Sequence, residues 1–209
     1  MAEGLKNAIK ALIWDMGGVL LRTEDGTPRE ELAARLGTNR RALERLVFAS
    51  PSAEQAMRGE IPVEEHWTAV GRSLALSAAE MIEFQKAFWA GDRIDDRLVD
   101  AIRGLRGRYQ TALLSNAWSN MHETAAMRYR FLDAFDVVVF SAEIKLAKPD
   151  ERIYRHVLEQ LNVEPFEAVF VDDFIENVEA AKRLGMHTIH FQSQDQALRE
   201  LEEWTGQTG

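Results

Sequence analysis

Six polar residues of this chain are of types, and at places, that could do chemistry together. Asp15 ends the apolar run Ala11-Leu12-Ile13-Trp14. Ser115 and Asn116 end Thr111-Ala112-Leu113-Leu114, and Asp172 and Asp173 end Ala168-Val169-Phe170-Val171. Lys148 stands just before Pro149. Short apolar runs of this kind make strands buried on both faces, and parallel strands bring their carboxyl ends to one edge. The set is then three carboxylates, a hydroxyl, an amide and an ammonium. Carboxylates crowded together repel one another unless a cation intervenes. A hard divalent ion such as Mg²⁺ takes carboxylate and carbonyl oxygens. Ser115, Asn116 and Lys148 remain as donors for an anion, and the combination describes a phosphoryl site. Singly, each residue has a structural role open to it: a turn-forming Asp, a Ser-Asn turn, a solvated Lys, an Asp-Asp helix cap. Their joint fall at strand ends outweighs those readings.

The elements that must position these groups alternate. After Ile94 the patterns read as a helix over 95–106, a strand over 110–114, a helix over 119–129 and a strand over 137–140. A helix over 149–161 with Pro149 at its start, a strand over 168–171 and a helix over 177–184 stopped by Gly185 follow. The chain closes with a strand over 187–191 and a helix over 196–204. Alternating strands and helices predict an α/β fold, a doubly wound parallel (Rossmann-like) sheet. Between the first strand and this series, residues 27–89 read as helices only. Thr27-Pro28-Arg29-Glu30 has the form of a capping box, and Thr38, Ser52-x-x-Gln55, Pro62 and Ser77-x-x-Glu80 mark further starts. Leu43, Leu46, Val47, Met81, Phe84 and Phe88 recur at helical spacing, as one face of a small bundle requires. This predicts a core of residues 1–22 and 93–209 with an inserted helical domain, 23–92. Residues 1–10 read as a polar, loose start.

Composition narrows the partners. Of 209 residues, 46% are hydrophobic and 28% charged, an ordinary globular balance. The net charge of −9 disfavours nucleic acid and anionic membranes. The absence of cysteine excludes disulfides, thiolate catalysis and a cysteine zinc site, and fits a cytoplasmic setting. No apolar run approaches the ~20 residues of a membrane span. His66 has no second ligand at a metal spacing and reads as a packing residue. The apolar helix faces fit either a monomer or a homodimer.

With these residues in hand, the chain resembles the haloacid dehalogenase-like (HAD) hydrolase superfamily over nearly all its length. Trp14-Asp15-Met16-Gly17-Gly18-Val19-Leu20 is similar to the first family motif, and Leu114-Ser115-Asn116 to the second. Lys148-Pro149-Asp150 is similar to the third, and Val171-Asp172-Asp173, with Asn177 following, to the fourth. The helical block takes the place of the family's cap, which covers the site. Arg58-Gly59-Glu60-Ile61 resembles the cap segment of the epoxide-hydrolase amino-terminal domain and of sugar-phosphate phosphatases. The resemblance implies a phosphatase for a small phosphorylated metabolite, with Asp15 as nucleophile forming an aspartyl-phosphate. It implies Mg²⁺ held by Asp15, the Gly17 carbonyl and Asp173, with Asp172 a direct or water-mediated ligand. Ser115, Asn116 and Lys148 would bind phosphoryl oxygens, Lys148 also easing the repulsion met by Asp15.

One position departs from that pattern. Family phosphatases usually carry a second Asp two residues after the nucleophile, as general acid and base; here it is Gly17. Such a group is worth ~10²–10⁴-fold in rate. Three readings follow: a substitute acid among Glu24, Asp25, Glu60 and His66; substrates with good leaving groups; or a binding module without turnover. The family's 2-haloacid dehalogenases also lack the second Asp and use no metal, but the pair Asp172-Asp173 argues for a cation and against that chemistry.

Overall fold

The computed structural model describes residues 9–205. The chain runs β1 (Ala11–Trp14), β2 (Leu21–Thr23), then α1 (Thr27–Arg35), α2 (Arg40–Phe48), α3 (Pro51–Met57), α4 (Val63–Leu74) and α5 (Ala78–Phe88). It continues through β3 (Asp92–Ile94), α6 (Asp96–Leu105), β4 (Gln110–Ser115), α7 (Met121–Thr124), β5 (Val137–Phe140) and α8 (Ser141–Ile144). The last elements are α9 (Glu151–Leu161), β6 (Ala168–Asp172), α10 (Ile175–Arg183), β7 (His187–His190) and α11 (Gln194–Thr205).

Five strands form a parallel sheet in the order β5-β4-β1-β6-β7. β1 is central, with Trp14 in register with Leu113 of β4 and Val171 of β6. Its residues alternate between two apolar layers. Leu12 and Trp14 join Val169, Val171 and residues of α6 and α11 on one face; Ala11 and Ile13 join Phe170 and residues of α9 and α10 on the other. All four β1 side chains are fully buried. Each large one contributes about 1.5–3 kcal/mol, which offsets the cost of carrying Asp15 out of water at the strand's end. Ile9 and Lys10 belong to this assembly rather than to a loose start: Ile9 is buried, and the Lys10 main chain bonds Glu167 and Gln110. Residues 1–8 of that expected start lie outside the described residues.

The helices α1–α5 pack on an apolar cluster of their own that includes Leu43, Val47, Phe84 and Phe88. The chain leaves for this block and returns through an antiparallel ribbon of β2 and β3, which helical periodicity gave no sign of. The expected boundaries at 22/23 and 92/93 fall inside it. Arg29 locks the ribbon to the helices. Its guanidinium donates to both oxygens of Asp92 at 2.8 and 2.9 Å and to the Phe88 carbonyl at 2.9 Å. This is why Thr27 makes no capping box: Asp25 accepts from the Thr27 N–H, Gly26 is the cap, and Arg29 is drawn inward. The next two starts also shift, to Asn39 and Ser50, whose oxygens accept from Ala42 and Ala53. Ser77 and Glu80 form the expected box.

The block is also fastened to the sheet domain. Trp118, two residues beyond Asn116, is buried in the helical cluster, with ring centroids 5.3 Å from Trp67 and 5.0 Å from His66. The Ser141 hydroxyl donates to the Met57 carbonyl at 2.6 Å and accepts from the Ala117 N–H at 2.9 Å. Gly59, at φ +62°, passes so close that a Cβ would lie 2.3 Å from the Ala142 carbonyl oxygen. Among the described residues, no helix is long and apolar enough to cross a membrane.

Candidate active site

The carboxyl edge of the sheet gathers the predicted groups, because β1, β4 and β6 are neighbours and end level with one another. The Asp15 N–H still donates to Val171, so the residue is anchored as the last rung of β1. Its Oδ1 accepts from the Met16 N–H at 2.7 Å and from Lys148 Nζ at 2.8 Å. Lys148 Nζ is shared with Asp172 Oδ2 at 2.6 Å. Both Asp172 oxygens also accept from Asn177 Nδ2 at 3.1 Å, and Oδ1 accepts from the Phe174 N–H at 2.8 Å.

Asp173 is different. Its Oδ1 is buried without a hydrogen-bond partner. Its other oxygen occupies the space a Cβ at Gly18 would take, 2.1 Å from that position; Gly18 is also at φ +80°. Only glycine meets both demands. One oxygen atom from each of Asp15, Asp172 and Asp173 lies within 4.8 Å of the others. An orphaned buried carboxylate oxygen beside two more carboxylates fits a hard divalent cation.

Lys148 comes from a turn rather than a helix start. The Lys148–Pro149 peptide is cis, and α9 begins at Glu151 with Asp150 as its cap, so the expected helix from Pro149 is shorter. Asn116 holds this turn: its Nδ2 donates to the Lys148 carbonyl, and its Oδ1 accepts from the Lys148 N–H, both at 2.8 Å. Its amide is thereby engaged with main chain. Ser115 is buried at the end of β4. Two contributors to the site carried no signal in the sequence, the Phe174 N–H and His190, whose Nε2 lies 3.0 Å from the Asp173 carbonyl oxygen; Asn177, noted after the fourth motif, turns its amide inward onto Asp172. Asn177 sits in the first turn of α10, which starts earlier than expected, at Ile175.

Burial sets the electrostatics. It raises Asp15 to about 7, with the Lys148 ammonium pulling down and Asp172 pushing up. Asp173 rises to about 6, chiefly by burial and then through Asp172. Burial alone would lower Lys148, but Asp15 and Asp172 raise it, so it stays charged. These carboxylates must lose protons for a cation to enter. Mg²⁺ should therefore raise the melting temperature more at pH 8 than at pH 5.5, with most of the gain between about pH 6 and 7.5. Without metal the sign reverses: raised carboxylate pKa values give stability that is present below the unfolded value of 3.8 and lost as pH rises through about 6 and about 7. Thermal melts across pH, with and without Mg²⁺, check both, and a Mg²⁺ shift independent of pH would contradict the first.

Of the four residues considered as substitute acids, none joins the carboxylate cluster. Asp25 is exposed and held low by the Thr27 N–H. His66 is fully buried, with Nδ1 3.0 Å from the Ser52 hydroxyl and its ring against Trp118. Glu24 and Glu60 are exposed.

Known proteins resemble this chain. A family model for haloacid dehalogenase-like hydrolases matches residues 9–185. A sesquiterpene phosphatase of Aspergillus oryzae is 30% identical over 199 residues, 94% of this chain and 97% of that protein. Bifunctional epoxide hydrolase 2 of Rattus norvegicus is 28% identical over 91% of this chain, which spans only 36% of that protein. In three dimensions, a HAD family enzyme of Bacteroides thetaiotaomicron, solved with magnesium and inorganic phosphate, superposes with a TM-score of 0.73. The two are 26% identical, with 88% of this chain and 94% of the other covered.

Proposed function

We propose, for a chain that belongs to the haloacid dehalogenase-like hydrolases, a Mg²⁺-dependent phosphatase that works on a small phosphorylated molecule through an Asp15 phosphoryl intermediate. The observation that carries this reading is Lys148 Nζ, held 2.8 Å from Asp15 and 2.6 Å from Asp172 beside the orphaned Asp173 oxygen. Both donors to Asp15 fall on Oδ1, which leaves Oδ2 as the attacking oxygen. The Lys148 ammonium pulls the Asp15 pKa down against burial and would face the phosphoryl oxygens, with the buried Ser115 hydroxyl as a second donor. Asn116 serves by fixing the Lys148 turn. Asp15, the Gly17 carbonyl and Asp173 would hold the ion, while Asp172 aims Lys148 and adds charge. Mg²⁺, when bound, supplies positive charge against the carboxylates and the phosphoryl oxygens. The helical block α1–α5 covers the cleft and selects the organic part of the substrate.

The test is phosphate release from a panel of phosphorylated metabolites, p-nitrophenyl phosphate and acetyl phosphate. Release is expected only with Mg²⁺, lost on chelation, with acid-stable phosphate trapped on Asp15 after rapid quench. No release from a folded protein that binds Mg²⁺ would replace this reading with that of a binding module.

A further inference from the structure

Gly17 lies at the exposed mouth of the site, although Asp15 and Met16 beside it are buried. Its backbone is not in the left-handed region, and a Cβ built there meets no atom within 4 Å. Gly18 next to it needs glycine on both counts; Gly17 needs it on neither. The empty space is therefore not a requirement of the fold, and it lies on the exposed side of the site, two residues along the chain from the nucleophile. No neighbour fills the missing chemical role. The carboxylate cluster holds Asp15, Asp172 and Asp173 and, among the described residues, no fourth acid. Lys148 Nζ is paired with two carboxylates, which hold its proton and leave it a donor rather than an acid.

We infer that Gly17 is a specificity-determining position, and that this enzyme favours phosphoryl groups on oxygens that leave as stable anions, acyl phosphates and phosphoanhydrides. The inference rests on the phosphatase reading above. In the first step Asp15 Oδ2 bonds to phosphorus while the bond to the leaving oxygen breaks. The electron pair stays on that oxygen, which departs unprotonated. In the second step a water oxygen bonds to phosphorus and the bond to Oδ2 breaks, its pair returning to the Asp15 carboxylate. The water's proton goes to the released phosphate or to solvent. Neither step uses a protein acid, so the rate follows the stability of the leaving anion. The open space at Gly17 leaves room near the site for a second phosphoryl unit or an acyl group.

The experiment is a structure–reactivity series on the wild-type enzyme with Mg²⁺. Aryl phosphates graded by phenol acidity are run beside an alkyl phosphate, acetyl phosphate and an organic diphosphate. The expected kcat/KM falls about tenfold for each unit of leaving-group pKa, with the alkyl phosphate slowest. Acetyl phosphate or the diphosphate should be fastest, and which of them leads tells the acyl from the anhydride source. A fall shallower than about fivefold per unit, with the alkyl ester keeping pace, overturns the inference and leaves the phosphatase standing. Absence of Mg²⁺-dependent release from every member overturns both. Gly17→Asp should speed the alkyl phosphate by ~10²–10⁴-fold and flatten the series. Gly17→Asn, of the same size and without the proton, should not. Equal gains from the two variants would also overturn the inference. The wild-type slope decides the matter even where a variant does not fold.

Discussion

Asp15→Asn is expected to abolish turnover while leaving the fold as stable as before, or more so. The rate loss should exceed about 10⁴-fold, since the nucleophile itself is removed. Stability should move the other way in the absence of metal. Asp15 is buried at the end of a fully buried strand, among Asp172 and Asp173, and these surroundings lift its pKa to about 7. Its ionised form is therefore disfavoured by the fold above that pH. An amide of the same shape removes this penalty, and Lys148 keeps Asp172 as its partner at 2.6 Å. At pH 8 without Mg²⁺ the variant should melt at or above the wild-type temperature. With Mg²⁺ the order should invert, because one carboxylate fewer holds the ion. Melting curves in the two conditions, with a phosphate assay, read all three effects. A destabilised Asp15→Asn without metal would contradict the account of why Asp15 is raised.

Lys148→Met should damage both activity and stability. The side chain is 1% exposed and is the ammonium shared by Asp15 and Asp172. Methionine keeps an apolar stem of similar length, so packing is largely spared, while the ammonium 5.5 Å from the Phe170 ring centroid is lost. What is lost is the charge. Removing one partner of a buried ion pair leaves the other uncompensated, at about 3–5 kcal/mol. Here two carboxylates are left so, and the Asp15 pKa, which Lys148 holds down, rises further. The sign follows: the deficit should be greater at pH 8 than at pH 5.5, where Asp15 is protonated. Mg²⁺ should restore part of it, about 2.7 kcal/mol at 100 times its dissociation constant. Turnover should fall at least about 10³-fold, as expected when charge stabilisation of the transferring group is removed. Denaturant melts at the two pH values and kcat/KM measure these effects. A loss below about 1 kcal/mol with activity within tenfold would show that Lys148 neutralises neither carboxylate.

The inserted block shows how reading the chain succeeds and where it stops. Phe84 and Phe88 lie in the apolar cluster that their spacing implied, since helical periodicity is a local property. Arg29 is legible only as part of the expected capping box, yet it is buried against Asp92. That pairing spans the whole insertion and leaves no local trace. Trp118 is the same case in reverse, a residue of the sheet domain whose ring completes the other domain's core.

The residue types and their order along this chain determined the parallel sheet, the inserted helices and the identity of the charged groups. Apolar runs, turn glycines and strand-ending carboxylates are all legible over a few residues. Gly17, which removes the acid two positions after Asp15, is legible in the same way. Tertiary structure alone decided what each group does with its neighbours. Asn116 turns to the Lys148 main chain, Asp172 is saturated by Lys148, Asn177 and Phe174, and Asp173 is left with an orphaned oxygen. It also separated two adjacent glycines, one imposed by contact with Asp173 and one facing open space. The physical reason is common to all of these. Hydrogen bonding, burial and steric contact are relations between residues far apart in sequence, and they come into existence only when β1, β4 and β6 are brought side by side.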